Sequence, residues 1–199
     1  MKTLRARPAN TLRIIAGQWR SRRLAFPDVE GLRPTADRVR ETLFNWLQDR
    51  IAREDCLDLF AGSGACGMEA LSRGARHVTF VDNSAAATAA IRRNLALLGA
   101  QGAQVICEDS LGWLQQQSPQ PRFGLVFLDP PFAADLLARS AAALEVSGLL
   151  REGALIYVES AQPLTTLALP QSWRVLKAKQ AGNVHFGLYQ RQTVAVASS

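Results

Sequence analysis

Residues 56–67 read Cys56-Leu57-Asp58-Leu59-Phe60-Ala61-Gly62-Ser63-Gly64-Ala65-Cys66-Gly67, a short apolar run that breaks into a glycine loop. The run has the length and composition of a buried strand, and Gly62 to Gly67 matches G-x-G-x-x-G where strand gives way to helix. Downstream, strand-like runs at 77–82, 104–107, 123–128 and 154–158 alternate with helix-like stretches near 65–73, 84–98, 110–117 and 133–145. Such alternation predicts a parallel sheet with helices on both faces. The tail departs from the pattern. Two strand-like runs, 173–178 and 184–190, are joined by Gly182-Asn183, which predicts an antiparallel hairpin at the sheet edge.

Upstream of the glycine loop, Val39, Leu43, Trp46, Leu47 and Ile51 recur at helical spacing behind Pro34-Thr35. Before them, Leu12 to Ile15 and Arg22 to Phe26 read as short strands around Gly17-Gln18. The chain thus divides into an N-terminal extension, 1–53, and a larger domain, 54–199. Charge divides the same way. The 199 residues carry 23 Lys/Arg against 17 Asp/Glu, a net +6, but residues 1–53 hold 12 and 5 and the remainder 11 and 12. A +7 extension on a −1 body points to a polyanion, with nucleic acid favoured over membrane because no amphipathic basic helix accompanies it. Arg5, Arg7, Arg13, Arg20, Arg22 and Arg23 surround Trp19. The arginines are expected to meet phosphate; Trp19 can stack on a base or pack beneath the hairpin. Trp46, Trp113 and Trp173 sit at core-like positions.

Composition narrows the setting. A hydrophobic fraction of 48% supports a real core and excludes wholesale disorder. No apolar run approaches the roughly 18 residues of a membrane span, and no apolar segment of a signal peptide follows the basic start. Cys56, Cys66 and Cys107 have no close pairing and fit buried thiols in a reducing cytoplasm. His77 and His185 lack partner ligands at metal-binding spacing, so no metal is expected. No dimerisation signal is visible, and a monomer is expected.

The glycine loop by itself serves two ligands. In a dinucleotide site it meets pyrophosphate and a distal acid binds ribose. In a methyl-donor site the same geometry backs the methionine part of S-adenosylmethionine, and Asp82, 18 residues after Gly64, would again hold the ribose. Three neighbours favour the methyl donor. Asp58, inside the strand, suits a methionine ammonium and would repel pyrophosphate. Glu108-Asp109-Ser110 ends the third strand, where a polar side chain can bind the adenine amine. Asp129-Pro130-Pro131-Phe132 follows the fourth strand directly. The candidate cofactor set is Asp58, Phe60, Ala61, Gly62, Ser63, Gly64, Asp82, Asn83, Asp109 and Ser110.

The tetrapeptide reads as a device for methylating an exocyclic amine. Such a nitrogen is a poor nucleophile because its lone pair is delocalised into the ring. A catalyst must accept hydrogen bonds from its N–H groups and draw it towards sp³. The Asp129 carboxylate and the Pro130 carbonyl are acceptors; Pro130 and Pro131 add no donor and stiffen the backbone. Phe132 is placed to stack on an extruded base.

In order, Asp-Leu-Phe-Ala-Gly-Ser-Gly, Val-Asp, Glu-Asp-Ser and Asp-Pro-Pro-Phe resemble class I S-adenosylmethionine-dependent methyltransferases acting on amino groups. Upstream, Arg-Ile-Ile-Ala-Gly-Gln-Trp-Arg-Ser-Arg-Arg-Leu (13–24) and Gly-Leu-Arg-Pro-Thr-Ala-Asp-Arg-Val-Arg-Glu-Thr-Leu-Phe-Asn-Trp-Leu (31–47) resemble the RsmD family, bacterial 16S rRNA guanine-N2 methyltransferases. The resemblance runs from about Leu12 to Gln190 and includes Ala-Leu-Ile-Tyr-Val-Glu-Ser (154–160). It implies a Rossmann-like fold with a mostly parallel seven-stranded sheet. It also implies methylation of a guanine, number 966, in 16S rRNA of the small ribosomal subunit or its assembly intermediate. Thr35 and Arg38 would close over the methionine end of the cofactor. Ser21 stands where that family commonly has Gly. Two alternatives share these motifs: an adenine-N6 methyltransferase, and an NAD-dependent oxidoreductase using the glycine loop.

Overall fold

Strand runs rich in Val, Leu, Ile and Phe with buried neighbours on both sides dictate a central sheet. In the computed structural model, which describes residues 10–27, 37–131 and 134–192, that sheet has seven strands. A two-stranded hairpin precedes it, β1 (Asn10–Arg13) and β2 (Arg23–Phe26), followed by helix α1 (Asp37–Trp46). The alternating core then runs β3 (Asp55–Asp58), α2 (Ala65–Ser72), β4 (His77–Asp82), α3 (Ala85–Leu98), β5 (Ala103–Cys107), α4 (Ser110–Gln115), β6 (Phe123–Leu128), α5 (Ala134–Val146) and β7 (Leu150–Ser160). The antiparallel pair β8 (Trp173–Ala181) and β9 (Val184–Arg191) closes the chain.

The strand order is β5-β4-β3-β6-β7-β9-β8, with β3 to β7 parallel and β9 running antiparallel between β7 and β8. The chain winds outward from β3 to β5, then returns to β6 on the other side of β3. This reversal opens a crevice at the carboxyl ends of β3 and β6, the place where α/β sheets bind ligands.

Two hydrophobic layers flank the sheet. One joins α1, α2, α3 and the β1–β2 hairpin to Cys56, Phe80, Phe127, Tyr157 and Phe186; the other joins α4 and α5 to Leu57, Val126, Ile156 and Trp173. Leu12, Ile14, Trp19, Leu24 and Phe26 belong to the first layer, so the described part of the extension shares one core with the sheet. Its attachment is specific. Glu69, fully buried on α2, accepts the Ile15 and Ala16 amides at 2.7 and 3.0 Å and the Arg73 guanidinium at 2.7 Å. Ser72 Oγ accepts from the Trp19 amide, and the Ser72 carbonyl accepts from Gln18 at 2.7 Å. Gly17 makes this approach possible: a Cβ there would lie 1.9 Å from the Ser72 carbonyl oxygen.

Several boundaries differ from expectation. The first helix stops at Trp46, and Ile51 fills the core from the turn beyond it. Strand β7 starts four residues earlier than the apolar run because β6 pairs Phe123 with Leu150 across an irregular register. Pro34-Thr35 lies outside the described residues. Ser21 has φ 68, a left-handed conformation that costs a residue with a Cβ about 1 kcal/mol or more, which accounts physically for glycine being favoured there. Cys56 and Cys66 are buried as expected, whereas Cys107, ending an edge strand, is exposed.

Candidate active site

The glycine loop adopts the form its sequence requires. Gly62 and Gly64 have φ 52 and 75, and a Cβ on Gly64 would meet the Met68 and Ile91 side chains at 2.6 and 3.0 Å. Gly67, within α2, lets the helix lie directly on β4, since a Cβ there would sit 2.2 Å from the Phe80 ring. The loop therefore brings the amino end of α2 against the carboxyl end of β3, where backbone N–H groups favour electron-rich ligand atoms.

Sheet register sets out the acids around this loop. Asp58 pairs with Phe80 on β4 and Phe127 on β6, and Tyr157 pairs with Phe127. Side chains alternate faces along a strand, so two residues further on Asp82, Asp129 and Glu159 lie in one row at the carboxyl edge, on the face of α1 and α2. Asp58 is one row deeper. Its Oδ2 accepts from the Gly67 amide at 2.9 Å, and burial pushes its carboxyl up to about 7, against the pull of that bond and with a smaller push from Asp82. An ionised Asp58 here calls for a cation.

Asp82 accepts from the Gly62 amide through Oδ2 and from the Ser84 amide through Oδ1, both at 2.8 Å. These bonds fix the carboxylate at the loop mouth while each oxygen retains a further lone pair. Asp109 is exposed and caps α4, accepting from the Gly112 amide at 2.9 Å. Asn83 is exposed beside Asp82, Phe60 is half-buried, and Ala61 and Ser63 are buried in the loop. Ser110 turns inward instead: its hydroxyl donates to the Leu59 carbonyl at 2.5 Å, tying α4 to the end of β3.

Asp129 is half-buried just past β6, with Pro130 buried and Pro131 exposed behind it. Phe132 and Thr35 lie outside the described residues. Arg38 is exposed on α1, and the arginine that α1 turns inward is Arg40, two residues on. Arg40 is wholly buried; its Nη2 donates to the Arg13 carbonyl at 2.9 Å and pairs with Asp37 at 2.5 Å. Its Nε and Nη1 have no hydrogen-bond partner among the described residues. A buried guanidinium with open donors is a ready receptor for a carboxylate. Its signal in the sequence is faint, because Arg38 and Arg40 occupy the same motif and only packing separates them.

On the hairpin, Arg13, Arg20, Arg22 and Arg23 are all exposed. Arg13 and Arg23 face each other across the strand pair, a like-charge arrangement that is unfavourable without an anion nearby. Trp19 is a correction. It is 8% exposed and packs in the core beneath the hairpin, so the stacking role weighed for it gives way to packing.

Residues 12–190 match a family model described as Conserved hypothetical protein 95. A Haemophilus influenzae protein named Ribosomal RNA small subunit methyltransferase D is 47% identical, covering 90% of this chain and 93% of its own. The solved structure of a putative methyltransferase, yhhF, from Escherichia coli superposes with TM-score 0.83 at 46% identity, covering 92% of this chain and 99% of that one. A putative SAM-dependent methyltransferase from Streptococcus mutans shares the fold at 16% identity and TM-score 0.67, covering 96% of this chain and 57% of that one. With a match spanning nearly the whole chain and a crevice of this geometry, the chain belongs to the family of ribosomal RNA small subunit methyltransferase D, the RsmD family.

Proposed function

We propose that the protein methylates 16S rRNA of the small ribosomal subunit, using S-adenosylmethionine and acting on the exocyclic N2 of a guanine, number 966 by family resemblance. The observation that carries the reading is the row of carboxylates at the switch point. Asp58 and Asp82 flank the glycine loop, and Asp129-Pro130 directly follows the adjoining strand β6.

The cofactor fits the residues present. Asp58, buried and without a cation of its own among the described ion pairs, suits the methionine ammonium. The open Nε and Nη1 of Arg40 suit its carboxylate, Asp82 the ribose hydroxyls, and Asp109 the adenine amine. A dinucleotide fits less well, because a buried Asp58 beside the loop opposes pyrophosphate. When bound, S-adenosylmethionine supplies an electrophilic methyl group on a sulfonium. Asp129 and the Pro130 carbonyl then take hydrogen bonds from the target amine, which localises its lone pair. The stiff Pro130-Pro131 turn holds these acceptors in place, and orientation of this sort supplies much of the rate.

The exposed hairpin arginines would grip rRNA phosphates. Strand β8 adds Lys177 and Lys179, which face Leu188 and Phe186 and so lie on the same side of the sheet. Replacing Arg13, Arg20, Arg22 and Arg23 by Glu should weaken RNA binding. It should also flatten the salt dependence of log K by roughly 0.7 for each phosphate that is no longer neutralised, with cofactor affinity unchanged. An unaltered salt slope in filter-binding assays would remove the hairpin from the RNA interface. The function itself is tested by mass mapping of 16S rRNA nucleosides from cells lacking the protein. The expected result is one unmethylated guanine, restored by the purified protein and S-adenosylmethionine; a full set of methylated guanines would overturn it.

A further inference from the structure

The acceptors Asp129 and Pro130 hold an amine without saying which base carries it, since guanine N2 and adenine N6 are both exocyclic NH2 groups. The neighbouring position on each base differs. Guanine presents N1–H, a donor, beside its N2; adenine presents N1, an acceptor, beside its N6. A group one strand away from Asp129 can therefore choose between them.

Glu159 occupies that place. Val158 pairs with Leu128, so Glu159 comes level with Asp129 on the same face of the sheet. It is 6% exposed, and no ion pair partners it among the described residues. The buried Tyr157 phenol donates to its Oε2 at 2.7 Å, which fixes the carboxylate and leaves Oε1 outside that bond. On the other side Glu159 pairs with Phe186, whose ring stacks with Trp46 at 5.5 Å and 28°. Burial raises the Glu159 carboxyl and the Tyr157 bond opposes the rise; the phenol in turn is pushed up by burial, then by Glu159 and Asp129. Both carboxylates thus act on one phenol. A buried acid without a cation is costly unless its acceptors are used, and among the described residues the Tyr157 phenol uses one of them.

We propose that Glu159, held by Tyr157, accepts the N1–H of the target guanine and so sets the base choice of the enzyme. The inference rests on the guanine reading above. Glu159 touches the substrate base; Tyr157 is a positioning residue behind it. Adenine in the same pose would set its N1 lone pair against a carboxylate, leaving both without a proton to share.

The test uses small subunits reconstituted with either guanine or 2-aminopurine at the target nucleotide. 2-Aminopurine keeps the N2 amine but presents an acceptor at N1. The native enzyme should prefer guanine by at least about a hundredfold in kcat/KM, since a site built for a hydrogen bond rejects an analogue that cannot make it. Glu159→Gln keeps the size and an oxygen for Tyr157 while offering an N–H to 2-aminopurine. Its preference should collapse by tenfold or more, with S-adenosylhomocysteine affinity unchanged by calorimetry. Equal loss on both substrates, or an unchanged preference, would overturn the assignment. Should Glu159→Gln fail to fold, Tyr157→Phe carries the test. It should raise KM for the guanine substrate several-fold and weaken discrimination with little change in kcat, and an unmoved KM counts against the proposal. Formation of N6-methyladenine by the native protein removes the guanine reading and this assignment together. Formation of N2-methylguanine with discrimination intact in Glu159→Gln removes the assignment alone.

Discussion

Replacing Asp129 by Ala should lower kcat for methyl transfer by about a thousandfold or more, while rRNA and S-adenosylhomocysteine still bind with near-native affinity. Removal of one preorganised acceptor or donor from a catalytic site typically costs about 10²–10³ in rate. Here the loss is placed at the upper end, because the carboxylate is the only charged acceptor that the Asp-Pro-Pro turn presents to the amine. Asp129→Asn keeps one acceptor oxygen and should retain more activity, roughly a tenfold to hundredfold loss. Single-turnover methylation with purified subunits measures both variants. Unchanged turnover in Asp129→Ala would take this residue out of the mechanism.

Acidification should weaken cofactor binding through Asp58. Burial pushes this carboxyl up to about 7 in the cofactor-free protein, and the methionine ammonium needs it ionised. The affinity should therefore be full above about pH 8 and fall by about tenfold per pH unit below 7, as the proton competes with the ammonium. Asp58→Asn keeps an oxygen for the Gly67 amide but loses the charge. Its affinity at pH 8 should be about tenfold to a hundredfold weaker, the usual worth of a charged hydrogen bond, and its pH dependence flat over this range. Calorimetric titration with S-adenosylhomocysteine at pH 6 and 8 tests this, and parallel pH slopes for the two proteins would exclude Asp58 from the cofactor site. Folding stability responds with the opposite sign. A carboxyl raised in the folded state binds its proton more tightly there than in the unfolded chain, so its contribution favours folding below about pH 4 and is lost as pH rises through about 7. The cofactor-free Asp58→Asn protein should accordingly melt above the native one at pH 8 and lose that advantage near pH 4.

These experiments probe contacts of differing legibility. The glycine loop could be read from Gly62-Ser63-Gly64-Ala65-Cys66-Gly67 because left-handed φ values and a helix lying on a strand leave few other residues admissible. Asp82 and Asp129 could be placed because each ends an apolar run, and in a parallel sheet such ends meet at one edge. The burial of Arg40 and Glu159 was not legible. A charged residue in a helix or at a strand end is ordinarily solvated, and nothing local marks one that packing has buried. Trp19 shows the converse: an aromatic among arginines has the local pattern of an RNA contact, while its surroundings in space are Glu69, Ser72 and the core.

By itself, the sequence determined the alternation of strands and helices, the glycine loop, the acid that follows each of the key strands, and the concentration of basic charge in residues 1–53. All of these are short-range properties: hydrophobic periodicity, backbone conformations open only to glycine, and composition. Tertiary structure decided which acids share a row, which of two arginines on α1 turns inward, and that the hairpin is clamped to α2 through Glu69 and Ser72. Those outcomes depend on strand order and register, which bring Asp58, Asp129 and Glu159 together from positions up to 101 residues apart. The physical reason is that burial and pairing energies belong to neighbours in space, and the chain sets those neighbours only once the sheet has closed.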